Sequence, residues 1–549
     1  MFFRVKTTGS YKYLQLVHNY REKGKPKQKV LATLGRLEEI IANGGIESML
    51  ESLSRFSQDT LLLLTNRSEF AADTKVVGPV LIFERLWKEA GMPGIIRELT
   101  KGRKFEFDME RAIFVSVLHR LLNPGSDRNC DLWHKNMMIA GAENLELQHF
   151  YRAMNFLGEP ILDQKNHTEF SPRCIKDQIE ELMFARRRNL FSQLSVVFFD
   201  TTSLYFEGEG GYDLGQHGHS KDSRPDLKQM IVGVVLDEHG FPICCELWPG
   251  NTADITTLLP IVNRLKNRFA IQNFCIVADR GMISKETADI LNGKGIFYIL
   301  GARMRRNSEV KYQVLTRAGR YQEIYPEIDD ARAPSPLKVK EVWVDEHRYI
   351  VCLNEKQARK DKADREAILE SLREKLTEGP KQLVGNKGYR KYLSAIKDSW
   401  KIDERKIIEE QRYDGKWVLQ TNTDYITEEV ALFYKELWMV EQAFRTSKTT
   451  FVTRPIFHQN DNQIRGHVFC SFLALVLKKA LFGKLAEKGL DYEWEKIKMD
   501  LSELRYIMVQ KGDEKVMLRT ECKGTCSGVF FASGVAVPPT FQKLTPAAC

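Results

Sequence analysis

Two runs of large apolar residues in this chain close on an acid, VVFFD at Asp200 and NFCIVAD at Asp279. Unbroken apolar runs of this kind read as strands buried on both faces, because a half-solvated strand would alternate apolar and polar residues. The neighbouring segments supply the cover. KQMIVGVVLDEHG and FPICCELWPGN predict a β-hairpin turning at Glu238–Gly240, ITTLLPIVNRLKNRF an amphipathic helix, SKETADILNGKG a short helix with Ser284 as N-cap, and IFYILGAR a strand. The order β-β-β-α-β-α-β implies an α/β fold, a mixed sheet flanked by helices. In open α/β sheets, ligands gather at the carboxyl ends of strands, where both acids fall. Each acid taken singly also fits the habit of Asp to end a strand by starting a turn.

With 549 residues the chain exceeds a single core. Texture divides it into 1–76, a β-hairpin and helix region with a candidate DNA contact; 77–190, helical, binding DNA or linking; 191–303 and 426–490, two parts of the α/β core; 304–425, a β-rich insertion around a highly charged helix; and 491–549, a candidate oligomerisation region. In the helical part, one helix opens with Pro79 in its first turn and closes at Gly91, and another runs from Asp108 to before Pro124. A third is expected with Ser171 as N-cap. Hydrophobic residues at 43% and charged residues at 28% give the balance of a soluble globular protein. The run Val468–Leu477 is too short to span a bilayer, and no apolar signal segment opens the chain, so no membrane role is expected. Ten scattered cysteines suggest reduced thiols and a cytoplasmic location; Cys522 and Cys526 could share a metal but lack a second pair.

A net charge of +9 is compatible with a polyanionic partner without requiring one. Arg21, Lys23, Lys25, Lys27 and Lys29 alternate through REKGKPKQK around Gly24 and Pro26, which fits a solvated hairpin tip or a finger on phosphates. Further on, TEEVALFYKELWMVEQAFRTSK reads as one helix from about Thr427 to Thr446. Its apolar stripe runs Val430, Tyr434, Leu437, Phe444, and Glu441 falls on it. A carboxylate withdrawn from water needs compensation. Arg445, at i+4, is one candidate partner; a metal ion shared with Asp200 and Asp279 is another. Three carboxylates suit a hard cation such as Mg²⁺ or Mn²⁺, and a pair of such ions activates the attacking oxygen and stabilises the leaving one in displacement at phosphorus.

Taken in order, FFDTTSLYF, ADRGM and YKELWMVEQAFRTSK resemble the DDE catalytic set of bacterial insertion-sequence transposases, which have an RNase H-like core. The last block is similar to the Y-R-E-K signature of one large transposase group. Tyr434, Glu441 and Lys448 occupy the Tyr, Glu and Lys positions; Leu437 stands where the group has Arg, and Arg445 could supply that charge from the neighbouring face. His217–Gln229, Trp248–Asp254 and the N-terminal YLQLVHNYREKGKPKQKVLATLGRLEE are similar to the same subgroup. The resemblance implies an RNase H-like mixed sheet interrupted by the insertion, with Asp200, Asp279 and Glu441 as catalytic ligands of two Mg²⁺ ions, Mn²⁺ being able to substitute. It implies hydrolysis at the terminal inverted repeats of the element, then attack of the freed 3′-OH on target DNA, by a homodimer or higher synaptic assembly in the cytoplasm, on the nucleoid.

Candidate DNA contacts are Tyr434, Arg445 and Lys448, the loop residues Lys221, Arg224 and Lys228, and Lys25 and Lys27 of the N-terminal hairpin. Solvated or local roles compete at each of them. His217 and His219 fit a flexible loop or a metal pair, and Trp343 and Trp417 fit core packing or stacking on an unpaired base. The rival to an active transposase is a transposase-derived DNA-binding repressor that no longer cuts. Another nuclease of RNase H-like fold is a third reading, which the Tyr434–Glu441 block and the insertion disfavour.

Overall fold

The computed structural model describes residues 2–22, 25–46, 48–49, 71–165, 167, 171–187, 194–324, 336–378, 387–396, 399–511 and 514–544. They form two compact units, one of 1–76, 502–523 and 537–549, the other of 77–501 and 524–536.

The first unit opens with β1 (Phe2–Thr8), β2 (Tyr11–Glu22) and β3 (Lys25–Arg36), a three-stranded antiparallel sheet. The strands around the basic turn are long, at 12 residues each, with Tyr20 opposite Lys27 and His18 opposite Lys29. Lys23 and Gly24, at the expected turn, lie outside the described residues. A short helix, Leu37–Ala42, follows, and β4 (Ala71–Val76) joins a second sheet.

In the second unit one nine-stranded sheet carries the candidate site. Its strands are β5 (Val196–Tyr205), β6 (Gln229–Asp237), β7 (Pro242–Pro249), β8 (Cys275–Ala278), β9 (Phe297–Gly301), β10 (Gln322–Ile324), β11 (Leu337–Val344), β12 (His347–Leu353) and β15 (Lys416–Thr421). A separate hairpin, β13 (Leu393–Ile396) and β14 (Ser399–Ile402), lies between β12 and β15 in sequence. The sheet order is β10-β11-β12-β15-β9-β8-β5-β6-β7. β5 pairs in parallel with β8 and β8 with β9, and every other neighbour is antiparallel. The strands of 304–425 therefore extend the same sheet. The first unit closes with β16 (Arg505–Lys511), β17 (Glu514–Arg519) and β18 (Phe541–Leu544), in the order β18-β17-β16-β4.

The continuous apolar runs are buried on both faces, as their composition requires. Val197, Phe199, Ile231 and Val235 pack with Ile261 and Leu265 of the helix Leu258–Asn267 on one side. Thr202, Leu204, Val232 and Val234 face Phe444 and the long helix Asp461–Glu487 on the other. That helix also runs along the helix Leu147–Gly158 so closely that a Cβ on Gly466 would stand 2.0 Å from the Met154 carbonyl oxygen. Among the described residues no helix is long and apolar enough to cross a membrane.

β7 lies at the edge of the sheet, where unpaired backbone groups invite another strand. Buried charged side chains occupy that edge. The Cys245 carbonyl accepts from Lys176 Nζ at 3.0 Å and from Arg264 at 2.9 Å, and its N–H donates to Glu180 at 2.9 Å. Arg264 also reaches Asp177 at 2.6 Å, Glu246 at 3.0 Å and Glu180.

Three local expectations need correction. β5 does not stop at Asp200; β8 ends there, while β6 goes on pairing with β5 as far as Tyr205. The predicted helix Thr427–Thr446 is broken into Thr427–Lys435, Trp438–Arg445 and a wide π-type turn, Thr446–Thr450. The helix expected from Ser171 starts at Ile175, where the Asp177 carboxylate accepts the Cys174 N–H at 2.7 Å. The other expected cap forms, Ser284 accepting from the Thr287 N–H, and Asp108 caps the helix that follows it by accepting the Arg111 N–H.

Candidate active site

The register of the parallel pair brings the first two acids together. Phe199 lies opposite Ala278, so Asp200 and Asp279 are the next residues on adjacent strands running the same way. The helix break sets the third. In an unbroken helix Glu441 would share the stripe of Leu437 and Phe444. After the break the buried face is Met439, Val440, Ala443 and Phe444, and Glu441 turns into solvent. The burial expected for Glu441 is thus absent, and no ion pair ties it to the exposed Arg445. Asp200, Asp279 and Glu441 all line one cleft of about 800 Å³.

The two aspartates are held differently. Asp200 accepts the Thr201 N–H at 2.7 Å. Burial pushes its carboxyl up to about 6; the Lys221 ammonium and that N–H pull it down, and the negative charges of Asp279 and Asp254 add to the rise. Asp279 accepts the Tyr434 hydroxyl at 2.9 Å. Burial and the neighbouring Asp279 charge raise the Tyr434 phenol well above its ordinary value, so it remains a donor. Gly301, at the end of β9, leaves room for this contact: a Cβ there would meet Tyr434 Oη at 2.4 Å and the Arg280 nitrogen at 2.9 Å. Arg303 braces the loop after Asp279, donating to the carbonyls of Arg280 at 3.0 Å and Gly281 at 2.6 Å.

Asp254, at the end of the WPGNTAD segment, is a fourth acid that sequence reasoning did not single out. It accepts Thr201 Oγ1 at 2.7 Å and pairs with Lys221 at 3.2 Å. Its place just before a helix gave no signal beyond a cap. The cleft is also basic, lined by Arg280, Arg303, Arg305, Arg306, Lys416 and Lys435. Trp417 and Trp438 also line it, Trp438 being 51% exposed. Trp343, the other tryptophan considered from sequence, is 54% exposed on β11.

The remaining candidates have partners of their own. Lys221 faces Thr201 and Asp254, and Lys448 faces Thr202 and Asp222. Arg224 pairs with Asp226 at 2.8 Å, and Lys228 pairs with Glu209. Lys27 is exposed on β3, and the side chain of Lys25 lies outside the described set. His217 and His219 are exposed. Among the described residues no three His, Cys, Asp or Glu side chains are grouped closely enough to hold one metal ion. Asp200 feels the charges of Asp279 and Asp254, and desolvation raises its carboxyl against the pull of Lys221, a setting of carboxylate oxygens that suits a hard divalent cation.

The transposase DDE domain family model matches residues 191–477, which contain all three acids, and the chain belongs to that family. Residues 3–67 match the IS1634 family transposase N-terminal domain, so the chain is a DDE transposase of an insertion sequence. No curated protein matches it. Among solved structures, a cryo-EM piggyBac transposase synaptic complex with hairpin DNA is similar at 11% identity and a TM-score of 0.37, over 79% of this chain and 82% of that chain.

Proposed function

We propose that this transposase binds the terminal inverted repeats of its element, hydrolyses a phosphodiester at each end and joins the freed 3′-OH to target DNA. The observation that carries the reading is a single cleft lined by Asp200, Asp279 and Glu441 together with six basic residues. A polyanionic backbone drawn to those basic residues would bring its phosphates to the acids. The order β7-β6-β5-β8-β9, three antiparallel strands followed by two parallel ones, supports an RNase H-like core.

Asp200 and Asp279 would hold Mg²⁺ or Mn²⁺, with Glu441 contributing from the facing helix. The chemistry supplied by a bound pair of such ions is activation of the attacking oxygen and neutralisation of the leaving one. Tyr434 fixes one oxygen of Asp279 and leaves the other available. Lys221 keeps Asp200 ionised against the field of its acidic neighbours. Function as a homodimer or larger synaptic assembly, and a place in the cytoplasm on the nucleoid, belong to the same proposal.

The test is cleavage of a duplex ending in the inverted repeats that flank the coding region, with Mg²⁺ or Mn²⁺. Wild type is expected to cut. Asp200→Asn, Asp279→Asn and Glu441→Gln should bind the same ends with undiminished affinity and lose cleavage by at least about 10²–10³-fold, the usual cost of removing one electrostatic stabiliser. Wild type that binds ends and cuts under neither ion overturns the reading in favour of a repressor. That reading draws on Glu441 standing apart from a closed three-acid group.

A further inference from the structure

The loop after β5 folds back along its own strand. The Lys221 N–H donates to Ser203 Oγ at 2.9 Å, and its Nζ reaches Thr201 O and Oγ1 at 2.8 Å each and Asp254 at 3.2 Å. The next residue is engaged from elsewhere. Asp222 pairs with Lys448 Nζ at 2.9 Å and with Arg454 at 2.8 Å, and Lys448 also donates to Thr202 Oγ1 at 2.6 Å. A left-handed Ser223, φ 58°, turns the loop here, while Ser220 Oγ accepts the N–H groups of Asp222 at 3.3 Å and Arg224 at 3.0 Å.

Lys448 lies seven residues beyond Glu441, at the far end of the element that carries it. Its side chain is 10% exposed and that of Asp222 is 7% exposed. Breaking such a pair leaves a buried charge uncompensated. A lysine already bonded to Asp222 and Thr202 is poorly placed to follow a backbone phosphate. Glu441, in contrast, is exposed, so the anchoring of its own element sets its distance from Asp200.

The geometry points to Lys221–Asp222 as a two-sided clamp between the strand of Asp200 and the helix of Glu441, with Lys448 as a positioning residue rather than a DNA contact. Lys221 grips the Asp200 end of β5 through Thr201 and Asp254. Asp222 grips the end of the Glu441 element through Lys448 and Arg454. The inference rests on the reading of the three acids as a metal-binding set.

The experiment uses the full chain. Mn²⁺ uptake without DNA is followed by the electron paramagnetic resonance of the free ion, and binding of a mixed-sequence duplex is measured across salt concentrations. Asp222→Asn and Lys448→Met should each weaken Mn²⁺ binding about tenfold or more, the usual cost of losing a residue that orients metal ligands. Duplex affinity and its salt slope should stay at wild type. The double variant should bind Mn²⁺ no more weakly than the weaker single one, and Lys448→Arg, which keeps the pair, should restore uptake. If Lys448→Met instead lowers the salt slope by about one with Mn²⁺ binding intact, Lys448 is a phosphate contact and the clamp is overturned. Wild-type Mn²⁺ affinity in all the variants overturns it too. Should Asp222→Asn fail to fold, the contrast between Lys448→Met and Lys448→Arg decides. A wild type that takes up no Mn²⁺ removes the metal reading and the clamp with it, whereas uptake indifferent to the substitutions removes the clamp alone.

Discussion

Two groups of charges in the second unit, one buried and one half-buried, are built on opposite terms. Around Arg264, the acids Asp177, Glu180 and Glu246 meet Lys176 and Arg264, with Arg268 3.8 Å from Asp177. Burial alone would raise the Asp177 carboxyl, yet Lys176 and Arg264 hold it below the ordinary range. In the cleft, Asp200 is half-buried beside Asp279 and Asp254 with Lys221 as the cation that opposes them, and its carboxyl rises. The first group is balanced and closes a sheet edge. In the second, desolvation outweighs Lys221 at Asp200, in a cleft where a ligand can enter. Burial also raises the Glu180 carboxyl of the first group, so a raised carboxylate marks a candidate site here only together with the open cleft beside it.

The largest expected effect comes from unbalancing the first group. Arg264→Leu should cost about 3–5 kcal/mol of stability in denaturant unfolding, since it strands several carboxylates at once. pH dependence gives a check through Asp177. Because its folded value is depressed, its contribution is complete above the unfolded value of about 3.9 and is lost as pH falls through the lower folded value. The stability difference between wild type and Asp177→Asn should therefore be constant from neutral pH to about 5 and shrink below about 4. A constant difference at lower pH would mean that the cations do not hold this carboxylate.

Balancing the second group should act in the other direction. Mg²⁺ at a hundred times its dissociation constant should stabilise wild type by about 2.7 kcal/mol, read as a rise in melting temperature. Asp200→Asn should abolish that rise, and Arg264→Leu should keep it. Next in size, Gly301→Ala should cost about 1–3 kcal/mol by overpacking against Tyr434 and Arg280, and should reduce cleavage more than end binding. The smallest effect is expected at Arg224, exposed beside Asp226. Arg224→Ala should leave the melting temperature unchanged and lower the salt slope of DNA binding by about one.

Asp200 and Asp279 were legible because a long apolar run ending in an acid is a local pattern. Their adjacency was not, since it depends on parallel pairing of β5 with β8 across more than seventy residues of chain. Glu441 was found as an acid on an amphipathic helix, but its predicted burial assumed a straight helix through Glu436 and Leu437, and periodicity does not report a break. Lys221 and Lys448 were read as candidate DNA contacts because their partners Asp254 and Asp222 lie far away in sequence. Arg264 carried a readable sign. It falls between Ile261 and Leu265 on the apolar side of ITTLLPIVNRLKNRF, where a cation needs a buried counter-charge.

The chain leaves the core at the end of β9 and returns on β15, the strand paired with it, Gly301 opposite Leu419. Topologically, everything between is one oversized hairpin loop. Closing such a loop costs only about 0.6 kcal/mol more for each doubling of its length, so the core is nearly indifferent to how much polypeptide is stored there. Evolution, or an engineer, can thus exchange the segment that carries Arg305 while Asp200 and Asp279 stay where they are.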